Sequence, residues 1–159
     1  MVCRSATWTT PRGLARLARP PPVTMAEGRQ PRVLVIDDDP SVREVVSYLL
    51  ASFGYDCQTA ADGARGLARF DEGGWDIVLT DLAMPEMSGW EVAEAIRRRS
   101  STMPIVLITG LIDPEVVRRA GERGLPVVPK PFRSEMLRAV VAQALQGSPS
   151  SQASFSCQS

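Results

Sequence analysis

The sequence contains no histidine. That excludes imidazole acid–base chemistry, most zinc sites and a phosphohistidine-carrying role, and it leaves carboxylates, hydroxyls and lysine as the groups on which chemistry can run. Cysteine is scarce: Cys3, Cys57 and Cys157 are odd in number, far apart and outside any metal-ligand spacing, which fits a reduced, cytoplasmic setting better than a disulfide framework. No apolar run approaches the roughly 18 residues that would span a bilayer, so no membrane association is expected. Lysine is almost missing as well. Of the 18 basic residues 17 are arginine, and the single lysine is Lys130.

The formal charge of zero over 159 residues conceals an imbalance. Residues 1–24 carry Arg4, Arg12, Arg16 and Arg19 with no acid, so the remainder holds 14 basic against 18 acidic residues, a net of −4. A domain of that sign has no electrostatic reason to seek nucleic acid. The leader shows no apolar period, contains Pro20, Pro21 and Pro22, and stops just before Met25. Residues 1–30 are therefore expected to be a disordered Arg/Pro-rich extension, with Met25 the expected start of translation. An Arg-rich, acid-free leader also resembles an organellar transit peptide, while a signal peptide is excluded by the missing apolar segment. At the other end, residues 147–159 hold six serines in thirteen positions and read as a disordered, solvated tail.

Residues 31–146, between these ends, alternate short apolar runs with helical patterns. The runs are Val33-Leu34-Val35-Ile36, a weaker Cys57-Gln58-Thr59-Ala60, Ile77-Val78-Leu79, Ile105-Val106-Leu107-Ile108 and Val127-Val128; four of the five are largely apolar, as strands covered on both faces require. Val42, Val45, Val46, Leu49, Leu50 and Phe53 follow the spacing of one helix face, opened by Asp39 as N-cap and Pro40 in the first turn and closed by Gly54. Val92, Ala93 and Ile96 mark another helix, and Met136, Leu137, Val140, Val141, Ala144 and Leu145 the last. Residues 62–71 and 114–123 give weaker helical patterns, expected to break at Gly66 and Gly121. Five strands alternating with five helices predict a doubly wound parallel sheet.

In such a sheet ligands bind outside the carboxyl ends of the strands. Asp37, Asp38 and Asp39 end the first run, Asp81 the third, Thr109 the fourth and Lys130, followed by Pro131, the fifth. Singly, each has a structural explanation as a cap or turn starter. Jointly they do not, because converging carboxylates repel one another unless a cation sits among them. A hard divalent cation with oxygen ligands, Mg²⁺ above all, answers that need. Asp81, kept ionised beside the metal, can then act as a nucleophile toward phosphorus, with the metal, Lys130 and the Thr109 hydroxyl facing the phosphoryl oxygens. A compact ammonium enters a small anionic pocket where a forked guanidinium would crowd it, which explains a lone lysine in an arginine-rich chain.

The segments VLVIDDDP, DIVLTDLAMPEMSG, PIVLITG and VVPKPF, in that order and spacing, resemble the receiver domain of two-component response regulators, the chemotaxis-type, flavodoxin-like fold. The resemblance covers residues 31–146. It implies that Asp81 is the phosphoacceptor for a histidine kinase or phosphotransfer protein, and that Asp38, Asp81 and the backbone carbonyl of Ala83 bind Mg²⁺ while Asp37 acts through a metal-bound water. It also implies that Thr109 moves toward the phosphate as a switch, that Lys130 pairs with it, and that the Lys130-Pro131 bond is cis.

Three departures qualify it. Val127 stands three before the lysine, where the family usually carries the aromatic partner of the threonine. Ala83 and Leu111, expected to flank the phosphate, are apolar and cannot orient water, so slow autodephosphorylation is expected. No segment is left over for an output domain, which predicts signalling by docking to a downstream protein, or by homodimerisation, through residues 111–123, Val127, Val128 and the last helix. Two alternatives stay open. One is a receiver-shaped interaction module that never carries phosphate; the other is a haloacid-dehalogenase-type phosphatase using Asp37-Asp38-Asp39-Pro40-Ser41 as its nucleophile motif, though it leaves Asp81 without a role and only Glu135 to complete its metal site.

Overall fold

The computed structural model describes residues 28–147. The expectations for residues 1–24, for Met25 and for all but the first residue of the serine-rich tail lie outside them. Within them, β1 (Arg32–Ile36), β2 (Asp56–Ala60), β3 (Ile77–Asp81), β4 (Ile105–Thr109) and β5 (Val127–Pro129) alternate with α1 (Pro40–Ser52), α2 (Gly63–Asp71), α3 (Gly89–Arg99), α4 (Pro114–Glu122) and α5 (Ser134–Gln146). All strand pairs are parallel and the order across the sheet is β2-β1-β3-β4-β5.

The sequence pattern follows from this order. β3 and β4 are buried at every residue, which is why they read as continuous apolar runs. Edge strand β2 is only partly covered, and its polar residues Gln58 and Thr59 weaken the pattern there. Alternate residues of the central strands point to opposite faces. Leu34, Ile36, Val78, Ile105 and Leu107 pack with Phe70 of α2, with Val92, Ala93 and Ile96 of α3, and with Ala120 of α4. Val33, Val35, Ile77, Leu79, Val106 and Ile108 pack with Val46 and Leu50 of α1 and with Leu137 and Val141 of α5. The chain leaves β1 toward β2 on one side, and β3 lies on the other, so a crevice opens between the carboxyl ends of β1 and β3.

The α1 caps are as expected: the Asp39 carboxylate accepts the Ser41 N–H at 2.8 Å, Pro40 opens the helix, and Gly54 follows its end at φ 94°. Its buried stripe is narrower than the spacing suggests, since Val45 is 52% exposed while Val46 and Leu50 are fully buried. Neither expected glycine break occurs. Gly66 lies within α2, where a Cβ would come 2.3 Å from Ile36 Cδ1, so this glycine lets the helix lie directly on β1 instead of ending it. Gly121 likewise lies inside α4, with open space around it.

Candidate functional site

Asp37 directly follows β1 and is 1% exposed. Its Oδ1 accepts the Asp39 N–H at 2.9 Å, its Oδ2 accepts from Lys130 Nζ at 2.8 Å, and its carbonyl accepts from Arg43 Nη1 at 2.7 Å. A partner on each oxygen fixes the orientation of this carboxylate. Asp38, next in the chain, is exposed.

Asp81 closes β3 and is 6% exposed. The Thr80 hydroxyl donates to its carbonyl at 3.0 Å. Burial raises the Asp81 carboxyl above its ordinary pKa; the nearby Lys130 ammonium pulls it down, the Asp37 charge pushes it up, and the backbone N–H groups of Ala83 and Leu82 favour the ionised form. Lys130 Nζ lies 3.5 Å from Asp81 Oδ1, farther than from Asp37. Burial disfavours the Lys130 charge, but the hydrogen bond to Asp37 and the charges of Asp81 and Asp37 outweigh it, and its pKa is raised. The ammonium thus belongs to both acids, held most closely by the one deeper in the fold.

Thr109 ends β4 fully buried, its hydroxyl oxygen accepting the Leu111 N–H at 3.0 Å. The Lys130 N–H donates to the Thr109 carbonyl at 2.8 Å, so the sheet itself sets the spacing of these two residues. The Lys130-Pro131 peptide is cis.

One oxygen from each of Asp37, Asp38 and Asp81 can lie within 4.8 Å of the others. Three carboxylates against one ammonium leave an excess of negative charge at a largely buried edge, and every donor is a hard oxygen. That set fits Mg²⁺ and suits neither a soft metal nor a cation needing nitrogen ligands. Of the expected ligands, Ala83 is seen to contribute its N–H to the Asp81 carboxylate.

Residues 82–88 bridge β3 and α3, and the join is held by contacts that strand and helix periodicity does not reveal. A Cβ on Gly89 would come 2.3 Å from the Asp81 carbonyl oxygen and 2.8 Å from Leu82 Cα, and the Gly89 N–H donates to the Leu82 carbonyl at 2.9 Å. Only glycine allows this approach. Ser88 and Glu91 close a reciprocal capping box on α3, a signature legible as S-x-x-E before the apolar positions. Hydrogen bonds from the Ser88 backbone and hydroxyl hold the Glu91 carboxyl below its ordinary pKa. Farther along the same edge, Leu111, Ile112 and Val117 are 59%, 46% and 54% exposed. Ile112 and Val117 border a cavity of about 340 Å³ floored by Ala120, Leu125, Val127 and Pro129.

Comparison with known proteins bears on the family and the fold. Residues 33–142 match the family described as response regulator receiver domain. The sensory transduction protein RegX3 of Mycobacterium tuberculosis is 36% identical over 116 residues, which are 72% of this chain and 50% of that protein. The chain spans half the length, or less, of the curated relatives it matches. Among solved structures, chemotaxis protein CheY4 of Vibrio cholerae is 33% identical, covering 72% of this chain and 98% of its own, with a TM-score of 0.68. Response regulator TrrA of Thermotoga maritima, solved in complex with Mg²⁺-BeF, is 32% identical with a TM-score of 0.66, covering 72% and 99%.

Proposed function

The chain belongs to the response regulator receiver domain family, and on that premise we propose that it accepts a phosphoryl group on Asp81 and passes the signal on by docking to another protein. The observation that carries this reading is the convergence of Asp37, Asp38 and Asp81 within 4.8 Å, with the only lysine of the chain among them. The donor is a phosphohistidine of a kinase or phosphotransfer protein. An Asp81 Oδ attacks phosphorus, the P–O bond forms as the P–N bond breaks, and the histidine nitrogen keeps the electron pair. Asp37, Asp38, Asp81 and the carbonyl of Ala83 would hold Mg²⁺, which supplies charge neutralisation to the transferring phosphoryl oxygens.

The chain's own residues do the rest. Lys130 sits 3.5 Å from the nucleophilic carboxylate and offers a point charge to a phosphoryl oxygen. Thr109 carries a hydroxyl that can donate to another, while its oxygen stays on the Leu111 N–H. The N–H groups of Leu82 and Ala83 aim the carboxylate and favour its ionised form, against the burial that raises its pKa. Ala83 and Leu111 bring no polar side chain to orient an attacking water, so the acyl phosphate is long-lived. Ala83→Asn combined with Leu111→Gln should shorten its lifetime.

The docking surface we propose is the exposed row Leu111, Ile112 and Val117 with the cavity beside Val127. The downstream partner is a protein, or a second copy of the chain. Residues 31–146 form the signalling unit, and its chemistry is limited to its own phosphorylation and dephosphorylation. No helix among the described residues is long and apolar enough to cross a membrane, and we assign the domain to the cytoplasm.

Incubation with acetyl phosphate and Mg²⁺ followed by hydroxylamine tests the reading. Label that requires metal and is released by hydroxylamine identifies an acyl phosphate. Label stable to hydroxylamine contradicts the reading, and steady turnover of a generic phosphoester would favour the phosphatase alternative.

A further inference from the structure

We infer that Trp90, Arg119 and Arg123 form a latch linking the position of α4 to the occupancy of Asp81; the inference rests on Asp81 being the phosphoryl site. The two helices it joins are held very differently. α3 is anchored by Val92, Ala93 and Ile96, each at most 2% exposed, and by its capping box. α4 buries one residue, Ala120, while Val117 is 54% exposed and Gly121 faces open space. A helix attached through a single alanine needs another tether.

Trp90 supplies it. This first-turn residue of α3 packs partly buried against the core, and its ring carries the Arg119 guanidinium 4.5 Å from its centroid and that of Arg123 at 5.6 Å. Both distances lie within the reach of cation–π attraction. Among the described residues neither arginine forms an ion pair with a carboxylate, whereas their neighbour Arg118 is shared by Glu115 and Glu122. Arg118 thus ties α4 to itself, while Arg119 and Arg123 tie it to α3.

The other end of the latch reaches the phosphoacceptor through the backbone. Trp90 follows Gly89, whose Cα rests against the Asp81 carbonyl and whose N–H is bonded to the Leu82 carbonyl at 2.9 Å. A shift of residues 81 and 82 therefore carries the indole with it. The closed latch accompanies Lys130 bonded to Asp37 at 2.8 Å. A phosphoryl group on Asp81 competes for that ammonium, so occupancy of Asp81 and closure of the latch oppose each other. Coupling of this kind is reciprocal: loosening the latch must strengthen binding at Asp81 by the factor through which binding loosens the latch.

The test is equilibrium binding of beryllofluoride with Mg²⁺, followed by fluorine NMR, to the unaltered chain and to an Arg119→Gln/Arg123→Gln variant, which leaves the Asp81 site untouched. Amide hydrogen exchange of α4 is recorded on the same samples. The expected result is binding tighter by about five- to thirtyfold, the factor set by two cation–π contacts, together with faster exchange confined to α4. Trp90→Leu should behave in the same way, and Trp90→Phe, which keeps an aromatic face, should stay within about twofold of the unaltered chain. Unchanged or weaker binding in the arginine variant, with the unaltered chain binding normally, overturns the latch alone. Failure of the unaltered chain to bind beryllofluoride overturns the phosphoacceptor reading and the coupling with it.

Discussion

The β1–β3 half of the fold and its β4–β5 half are built to different tolerances. On the β1–β3 side the elements pack closely: Gly66 lies against the Ile36 side chain, Gly89 lies against the Asp81 carbonyl, and Asp37 is fixed by three side-chain and backbone partners. On the β4–β5 side no packed neighbour comes within 4 Å of where a Cβ on Gly121 or Gly124 would be, and Leu111, Ile112 and Val117 are exposed. Phosphoryl transfer needs carboxylates held to within fractions of an ångström, because positioning and fixed charge supply most of the catalysis. A response needs a segment whose rearrangement costs little, and such segments come from the least stable parts of a fold. The proposed nucleophile and metal ligands lie on the tight side and the exposed row Leu111, Ile112 and Val117 on the loose one, so the two demands fall on different halves of the fold.

The same substitution made on the two sides is the sharpest way to break this contrast. Gly89→Ala should destabilise the domain by about 3 kcal/mol, since its Cβ meets backbone that can yield only by moving Asp81. Gly121→Ala should stabilise it, by about 0.5–1 kcal/mol, because the methyl meets nothing and alanine favours the helix. Urea unfolding measures both, and equal effects would show that the two sides do not differ. Between these extremes, Lys130→Met should cost about 2 kcal/mol by stranding a buried Asp37 carboxylate, less than for a fully buried pair because the lysine is 22% exposed.

The pH dependence of stability sharpens the contrast further. Burial raises the folded-state pKa of Asp81 above its ordinary 3.8, so the folded protein holds this proton more tightly than the unfolded chain does. The associated stability is present below the unfolded pKa and is lost as pH rises through the folded value. In metal-free buffer Asp81→Asn should therefore be more stable than the unaltered chain at neutral pH, with the gap closing on acidification. A gap that is constant with pH would assign the gain to packing alone. Smallest of all, Arg118→Gln should leave the urea midpoint essentially where it is, because its exposed pairs with Glu115 and Glu122 are screened by solvent.

Much of the tight side was legible in the sequence. Apolar runs that end in Asp37, Asp81, Thr109 and Lys130 must bring these residues to one edge once the strands are parallel, and the sheet order puts Asp37 and Asp81 on its neighbouring central strands. Periodicity could not reveal what depends on the distance between elements. Gly66 reads as a helix breaker until the closeness of Ile36 is known, and Val45 reads as core because its spacing matches that of Val46 and Leu50. The preference of Lys130 for Asp37 over Asp81 is a matter of 0.7 Å (2.8 against 3.5 Å), below the resolution of any sequence pattern. The stacking of Arg119 and Arg123 on Trp90 joins residues about thirty positions apart through an exposed helix whose own apolar signal is weak.

Phosphorylation of Asp81 is tested most directly by the intact mass of the purified chain after incubation with acetyl phosphate, with and without Mg²⁺, beside an Asp81→Asn control. One added phosphoryl group, only with metal and only on the unaltered chain, is the predicted result. An unchanged mass under every condition, or the same addition to the Asp81→Asn protein, would contradict it.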